Sequence, residues 1–494
     1  MFFAFVSPLG TDEQAVMDQF ETQLMARDYE VVPIKLSELI RDHAEQLSGS
    51  SADSILDKEE IHRLESDEAK RVRRFQLLGN AIREKRGGEI MARLACVEVA
   101  RHRSKDDIET NKVQPGRVAY VFRSLKHPDE AALLRTIYGH GFFLVAIHSS
   151  FEARYGNLKR RGMSDHEAQY LMGLDEKEDQ SHGQNTRDTF ELGDFYLDDE
   201  AEIPNQVKRF VDLQFRALYI TPTKEEFGMF MASSAAQRSG DLSRQVGAAI
   251  FDGMGDLLST GCNEVPKAGG GTYWPEDEPD VRDYRIGRDP NDQEKEERFE
   301  KLLDVLTSQE RIDISRDQLE KAWRASGLRD LTEFGRTVHA EMDAIMSAAR
   351  RGVGLAGTTL YATTFPCHNC ARHIVAAGVR RVVYVEPYAK SEAYPLYGDS
   401  IRCSAHPVPA LDRPTAKEQV PFEPFVGVAP RRFADFFSMR HLTGRRIERK
   451  DPKGFTLRQN LSDLQTPRLQ LSELSYLERE ELAIQTLPPE IKGV

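Results

Sequence analysis

The chain has 494 residues, of which 40% are hydrophobic, and this length predicts two to four domains with real cores. A net charge of −13 argues against a protein that holds a polynucleotide along its backbone, because such proteins usually carry a basic face. No stretch approaches the ~18 uninterrupted apolar residues of a membrane span, and the five cysteines favour a reducing compartment, so we expect a cytoplasmic protein without disulfides.

The first 218 residues have the alternating pattern of an α/β domain. Phe2–Val6 is a run typical of a buried strand, a turn follows at 7–11, and 12–27 has the apolar spacing of an amphipathic helix. Strand, tight turn and helix is how P-loop nucleotide-binding domains begin. Further strands are predicted at 29–35, 117–122 and 142–147, the last two with the continuous apolar character of parallel strands.

The turn after the first strand departs from the P-loop pattern G-x-x-x-x-G-K-[ST]. If Gly10 stands for the last glycine, then Phe5 replaces the first glycine, Thr11 the lysine and Asp12 the magnesium-binding hydroxyl. A carboxylate aimed at phosphates repels them. We therefore expect negligible phosphoryl transfer, and Gly10 and Thr11 stay as candidate nucleotide contacts.

A second domain is predicted over 219–438, followed by a charged tail, 439–494, that is by default solvated or an oligomer contact. Its elements follow the order α-β-β-insertion-α-β-α-β. The hairpin covers 246–251 and 257–263, and the insertion, to which we assign no chemistry, lies at about 272–335. The remaining elements are helices at 224–239, 338–350 and 367–377 and strands at 358–364 and 380–385.

Two short motifs within this domain carry metal chemistry. His339 and Glu341 form H-x-E, and Cys367 and Cys370 follow Pro366 in P-C-x-x-C, which together are the signature of zinc deaminases acting on nucleobases. One imidazole and two thiolates provide three ligands and leave the fourth tetrahedral position of Zn²⁺ open for water, as in catalytic sites. The pattern places both motifs at helix N-termini, where the helix dipole favours thiolates.

Glu341 is the residue of the motif without a ligand role. A carboxylate beside an activated water can take its proton and return protons to the ring and to departing ammonia, which is hydrolytic deamination. The alternatives are a structural zinc site or a cysteine pair that only packs. A structural site needs a fourth protein ligand, and no further Cys or His has suitable spacing.

The C-terminal half resembles the deoxycytidylate deaminase family over roughly residues 223–390. The residues that carry this resemblance are Arg238, Ser239, Val246–Ala248, Asn263, His339–Glu341 and Pro366–Cys370. It implies an α/β chain in which a P-loop kinase-like α/β domain is followed by a cytidine-deaminase-like α/β/α domain. The degenerate P-loop domain in front, the long insertion and the segment 421–437 resemble the bacterial anti-phage dCTP deaminases.

The resemblance implies a zinc-dependent hydrolase that converts dCTP and dCMP to dUTP and dUMP and depletes the dCTP pool in antiviral defence. It further implies a homo-oligomer, control through the N-terminal domain, and repression by a small regulatory RNA. In the site, it implies that Asn263 hydrogen-bonds the sugar or base and that the backbone amide of Ala340 holds the pyrimidine carbonyl. Ser239 is a further substrate-binding candidate, and Arg244 is the best candidate for the phosphates.

The sequence departs from the family pattern in one loop, and two alternative functions stay open. Where housekeeping enzymes typically have Gly-Tyr-Asn-Gly, Gly261–Glu264 is Gly-Cys-Asn-Glu, which leaves the effector and phosphate contacts of that loop open. The alternative enzyme is a housekeeping dCMP deaminase feeding thymidylate synthesis, which would not need the upstream domain. A non-enzymatic alternative is a nucleotide-responsive sensor or RNA-binding scaffold, whose effect would survive loss of Glu341.

Overall fold

The computed structural model describes residues 1–48, 58–107, 117–178, 181–308, 315–326, 328, 334–387, 391–404, 416–440, 446–464, 473–488 and 491. Among these residues the chain divides into two compact units. Unit 1 contains 1–226, 404 and the residues from 424 onward, and unit 2 contains 227–403 and 416–423.

The elements alternate between strands and helices along most of the chain. The strands are β1 (Phe2–Val6), β2 (Glu30–Lys35), β3 (Val118–Arg123), β4 (Phe142–His148), β5 (Phe195–Asp198), β6 (Gly247–Phe251), β7 (Leu257–Cys262), β8 (Thr359–Thr364), β9 (Arg381–Glu386), β10 (Ile401–Cys403), β11 (Val420–Pro424) and β12 (Gly427–Val428). The helices of unit 1 are Glu13–Met25, Leu36–Ser48, Lys58–Arg63, Asp67–Arg86, Ile90–Asp107, Pro128–Tyr138, Phe151–Arg160, Asp165–Glu176, Thr186–Phe190, Ile203–Gln214, Phe433–Phe437 and Glu473–Gln485. The boundary between the units falls within Lys224–Ala236, and the helices of unit 2 are Asp283–Ile286, Pro290–Ser308, Arg316–Ala325, Ala340–Arg350, His368–Ala376 and Ala393–Tyr397. No described helix has both the length and the apolar character needed to cross a membrane.

Unit 1 is built on a six-stranded sheet in the order β12-β5-β4-β1-β3-β2. Strands β1 to β5 pair in parallel, and β12 is antiparallel to β5. Every residue of β1 and β4 is buried, as expected for parallel strands covered on both faces. On one face, Phe3 and Phe5 pack against Phe20 and Phe210 of the flanking helices. The predicted strands of the N-terminal domain are therefore confirmed.

Carboxylates accept hydrogen bonds from two backbone amides in the turn after β1. The amide of Leu9 donates to Asp175 Oδ2 at 2.8 Å, and that of Asp12 donates to Asp199 Oδ2 at 3.2 Å. Gly10 has a structural reason of its own, since its φ is +95° and a Cβ there would lie 2.6 Å from the carbonyl oxygen of Arg154. The nucleotide-binding role of Gly10 and Thr11 stays a prediction.

The C-terminal residues lie elsewhere than predicted, because residues from 424 onward belong to unit 1 and not to the domain predicted to end at 438. Gly427–Val428 pairs with β5, and Phe436 packs in the unit 1 core. Part of the predicted tail is also buried: Glu480 is 2% exposed and accepts a hydrogen bond from the Tyr138 hydroxyl at 2.6 Å. A two-residue strand and a five-residue helix carry too little pattern to indicate their partners from sequence.

Unit 2 contains the second sheet, in the order β10-β11-β9-β8-β6-β7. Strand β6 is antiparallel to β7, which confirms the predicted hairpin, and it is also antiparallel to β8, which is parallel to β9. The predicted order of elements along this part of the chain is confirmed as well. The insertion predicted at about 272–335 contains three helices, and its residues 309–314, 327 and 329–333 lie outside the described residues.

Glu167 provides a test of the packing in unit 1. Its carboxylate accepts hydrogen bonds from the amides of Glu65, Ser66 and Ser164, at 2.6, 2.9 and 2.8 Å. Burial raises the pKa of Glu167, but these donors outweigh burial and lower it to about 2. A carboxylate with a lowered pKa in the folded state stabilises the protein above its unfolded pKa of about 4.3, and this contribution is lost as the pH falls towards 2.

We therefore expect Glu167→Gln to lower the free energy of unfolding by about 1–3 kcal/mol at pH 7, because a buried charged acceptor is replaced. The difference from wild type should shrink between about pH 5 and pH 2. Urea unfolding followed by circular dichroism at stepped pH measures this. The exposed Glu21→Gln should change stability by less than about 0.5 kcal/mol. A difference independent of pH would contradict the assignment.

Candidate active site

The helix Ala340–Arg350 positions the H-x-E motif. His339 is its N-cap residue, and the preceding Val338 forms an antiparallel bridge with Glu264, with N–O distances of 3.0 and 3.3 Å. The helix also lies very close to β7, since a Cβ at Gly261 would be 2.3 Å from the Ala340 carbonyl oxygen. Only glycine permits this approach. The bridge and the close packing together fix the direction in which the helix begins.

The second helix, His368–Ala376, begins one residue after the first cysteine. Cys367 is its N-cap residue, and Cys370 lies in its first turn. The loop before it is held by the Ser391 hydroxyl, which donates to the Pro366 carbonyl at 2.8 Å, and by Phe365, which packs edge-on against Tyr384. Both motifs therefore lie at helix N-termini, as predicted.

The two helix ends bring His339, Cys367 and Cys370 together. His339 Nδ1 lies 3.3 Å from Cys367 Sγ and 3.4 Å from Cys370 Sγ, and all three ligand atoms lie within 4.8 Å of one another. Zn–N and Zn–S bonds of about 2.1 and 2.3 Å in a tetrahedral arrangement give an N–S separation of about 3.6 Å, so the donor set fits zinc. Among the described residues no fourth His, Cys, Asp or Glu joins this group.

The electrostatics of the cluster favour a thiolate. A hydrogen bond with Cys370 and the neighbouring His339 lower the pKa of Cys367 to about 4, against the effect of burial. In turn, the hydrogen bond to Cys367 raises the pKa of His339 to about 9. Metals bind the deprotonated sulfur, which this environment favours at Cys367. The hydrogen bond with Cys367 and burial instead raise the pKa of Cys370 well above its ordinary value.

Glu341 lies beside the cluster, where its carboxyl group hydrogen-bonds with Cys370. Its side chain is buried, with the residue 4% exposed, and burial together with the nearby Cys367 raises its pKa, which His339 opposes. A raised pKa suits a carboxylate that must both accept and return a proton near neutral pH. The structure therefore brings Glu341 to the three predicted ligands. Its catalytic role stays a prediction at this point.

A pocket of about 220 Å³ opens onto these residues. Of the predicted site residues, it is lined by His339, Ala340, Glu341, Cys367, Asn263 and Arg244. The side chain of Arg244 is 47% exposed, and its Nη2 donates to Glu386 Oε2 at 2.6 Å. Six of the predicted residues are thus gathered around one cavity of the size needed for part of a small ligand.

The side chain of Asn263 hydrogen-bonds backbone groups of the pocket wall. Its Nδ2 donates to the Arg244 carbonyl and its Oδ1 accepts from the Val246 amide, both at 2.7 Å. Ser239 does not line the pocket; its hydroxyl donates to the Asn263 carbonyl at 2.7 Å. Ser239 therefore supports Asn263 from behind, and a direct substrate contact by either residue stays a prediction.

The sequence analysis missed one side of the pocket. Asp283, Asp289 and Asn291 of the insertion line it, together with Arg336. The insertion shows no motif, and Asp283 lies 53 residues from its ion-pair partner Arg336, with an N–O distance of 2.8 Å. The one sequence feature that could have indicated this side of the pocket is the position of Arg336, three residues before His339.

Comparison with known proteins identifies the region. Residues 222–386 match the family model described as "Cytidine and deoxycytidylate deaminase zinc-binding region". Over this third of the chain the sequence is therefore similar to cytidine and deoxycytidylate deaminases, and the predicted zinc cofactor is confirmed by the match to a zinc-binding region together with the His/Cys/Cys cluster.

Relatives of this region come from phages, a bacterium and animals. The chain is 42% identical over 65 residues to the deoxycytidylate deaminase of Enterobacteria phage T4, which covers 13% of this chain and 33% of the relative. It is 28% identical over 168 residues to a probable deoxycytidylate deaminase of Drosophila melanogaster, which covers 33% of this chain and 62% of the relative. A solved dCMP deaminase of cyanophage S-TIM5, in complex with dCMP and dUMP, is 19% identical with a TM-score of 0.22, covering 36% of this chain and 92% of that one.

The ligand set leads to a prediction about zinc content. We expect purified protein to hold about one zinc per chain at the cluster, and Cys367→Ser to lose most of it, because a weakly acidic hydroxyl replaces a thiolate ligand. Metal analysis after dialysis measures this. Cys403→Ala is the matched control, since Cys403 is buried and lies outside the cluster. Full zinc retention by Cys367→Ser would contradict the assignment.

Proposed function

We propose that the protein is a zinc-dependent deaminase that hydrolyses free deoxycytidine nucleotides to deoxyuridine nucleotides and ammonia. The observation that carries this proposal is the cluster of His339, Cys367 and Cys370 with the buried Glu341 beside it. Three soft ligands favour an open catalytic zinc, and the neighbouring carboxylate supplies the proton transfer that hydrolysis requires.

The residues divide the reaction between binding and proton transfer. His339, Cys367 and Cys370 would hold the ion, which when bound acts as a Lewis acid that makes water a nucleophile near neutral pH. Glu341 accepts one proton from the water and delivers it to the ring nitrogen, and it then accepts the second proton, from the hydroxyl now on the ring carbon, and delivers it to the leaving amine. The exocyclic C–N bond of the cytosine breaks, a carbonyl forms at the same carbon, and ammonia leaves. The Ala340 amide is proposed to hold the pyrimidine carbonyl.

Free nucleotides are the proposed substrates rather than polynucleotides. The net charge of −13 opposes binding of a long phosphate backbone, and the pocket adds the carboxylates of Asp241, Asp283 and Asp289. We propose dCTP, dCMP or both as substrates, with depletion of the dCTP pool in anti-phage defence as the biological outcome. Control by unit 1 and a homo-oligomeric state are parts of the same proposal.

The proposed role of Glu341 predicts a selective loss of turnover. Glu341→Gln should keep its zinc and lower kcat by about 10²–10⁴-fold, because it removes positioned proton transfer. The assay incubates wild type and variant with dCMP, dCTP, CTP and a single-stranded oligonucleotide and identifies products by chromatography. Near wild-type turnover by the variant would refute the role of Glu341, and uracil in the oligonucleotide at the rate seen for dCTP would refute the substrate class.

Unit 1 is expected not to transfer phosphate. The Leu9 amide already donates to Asp175, which Lys126 Nζ also approaches at 2.8 Å, so a phosphate would have to displace a paired carboxylate. Incubation of the full chain with ATP and either dCMP or dCDP should therefore yield no ADP above background. ADP formation that scales with protein concentration and persists in Glu341→Gln would contradict this.

A further inference from the structure

Arg336 lines the pocket close to the metal cluster. It precedes His339 by three residues, so at most about 11 Å of chain separates their Cα atoms. The bridge between Val338 and Glu264 anchors this short segment beside the pocket wall. The short connection thus keeps Arg336 in the wall of the same pocket as His339, Glu341 and Cys367.

The guanidinium of Arg336 is held along one side. Its Nη1 donates to Asp283 Oδ1 at 2.8 Å and to the Val281 carbonyl at 3.2 Å, and its Nη2 donates to the same carbonyl at 3.2 Å. An arginine has five N–H donors. The Nε–H and the second Nη2–H of Arg336 have no acceptor among the described residues.

These two remaining donors form one edge of the planar group. Parallel N–H bonds along an arginine edge match two oxygens of a phosphate, which a lysine ammonium cannot reproduce. The Arg336 side chain is 33% exposed and Asp283 is 10% exposed, so the pair is partly shielded from solvent. Arg244, the other guanidinium of the lining, is more exposed and has its own carboxylate partner in Glu386.

We propose that Arg336 determines specificity for phosphorylated substrates, binding a substrate phosphate through its Nε–H and Nη2–H while Asp283 and the Val281 carbonyl hold the guanidinium in position. This inference rests on the proposed deamination of nucleotides and identifies the group that separates a nucleotide from its nucleoside. It also gives the insertion a function, since the insertion supplies both groups that orient Arg336.

The test measures binding without turnover, in protein that carries Glu341→Gln and bound zinc. Calorimetric titration with dCMP, dCTP and deoxycytidine compares Arg336→Gln and Arg336→Lys with Arg336 intact. The matched control is Arg285→Gln, an arginine of the same insertion whose side chain is 59% exposed and paired with Asp280 outside the pocket lining. Zinc content is measured for every variant.

Loss of two charge-assisted hydrogen bonds should weaken the tighter-binding nucleotide at least tenfold in Arg336→Gln. Arg336→Lys should be intermediate, and Arg285→Gln should stay within twofold. The proposal would be overturned if Arg336→Gln left nucleotide affinity unchanged, or if it weakened deoxycytidine binding by the same factor. It would also be overturned if the variant lost its zinc together with its nucleotide affinity. The proposed deamination can fail while the Arg336 proposal holds: protein with Glu341 intact would then deaminate neither nucleotide, although nucleotide binding would still depend on Arg336.

Discussion

The contact between the helix Ala340–Arg350 and β7 fixes the position of the H-x-E motif, on which the candidate active site depends. At Gly261 the helix backbone approaches so closely that a methyl group would overlap the Ala340 carbonyl and the Ala344 amide, each at 2.3 Å. Asp343 strengthens the contact by accepting the Cys262 amide at 3.2 Å. Since the helix cannot move away from the strand without losing these contacts, His339 and Glu341 start from a fixed position.

The sequence predicted the site because its information is local. The H-x-E and P-C-x-x-C motifs each lie within a few residues, and helix N-termini followed from the apolar spacing around them. The rest of the pocket depends on contacts between distant residues. Arg336 meets Asp283 across an acidic insertion without periodic pattern, and Ser239 turned out to support Asn263 from behind. Side-chain direction at such contacts is set by tertiary packing, which residue types alone do not reveal.

In unit 1, too, local patterns were predictable from the sequence and contacts between distant residues were not. Four of its parallel strands, β1 to β4, were predicted from the sequence, whereas the short strand β5 and the return of Val428 and Phe436 to this unit were not, because these segments are short and meet their partners over a long sequence separation. In the turn after β1, the amides of Leu9 and Asp12 donate to the carboxylates of Asp175 and Asp199. The turn therefore keeps its shape without a bound anion.

Glu341 and Arg336 line the pocket in different environments, which suits the separate roles proposed for them. Glu341 is buried, so the proton transfer proposed for it would take place in a low-dielectric setting, where electrostatic interactions are strongest. Arg336 and Arg244 are partly exposed and already paired with carboxylates, so in the proposed binding a phosphate adds a second anionic partner to Arg336 rather than neutralising a bare cation. Such an addition would gain mainly from geometry, because the two N–H bonds along the free edge of the guanidinium are parallel. Discrimination between ligands by Arg336 would therefore depend on hydrogen-bond direction more than on net charge, and the groups that hold Arg336, which are Asp283 and the Val281 carbonyl, belong to the insertion.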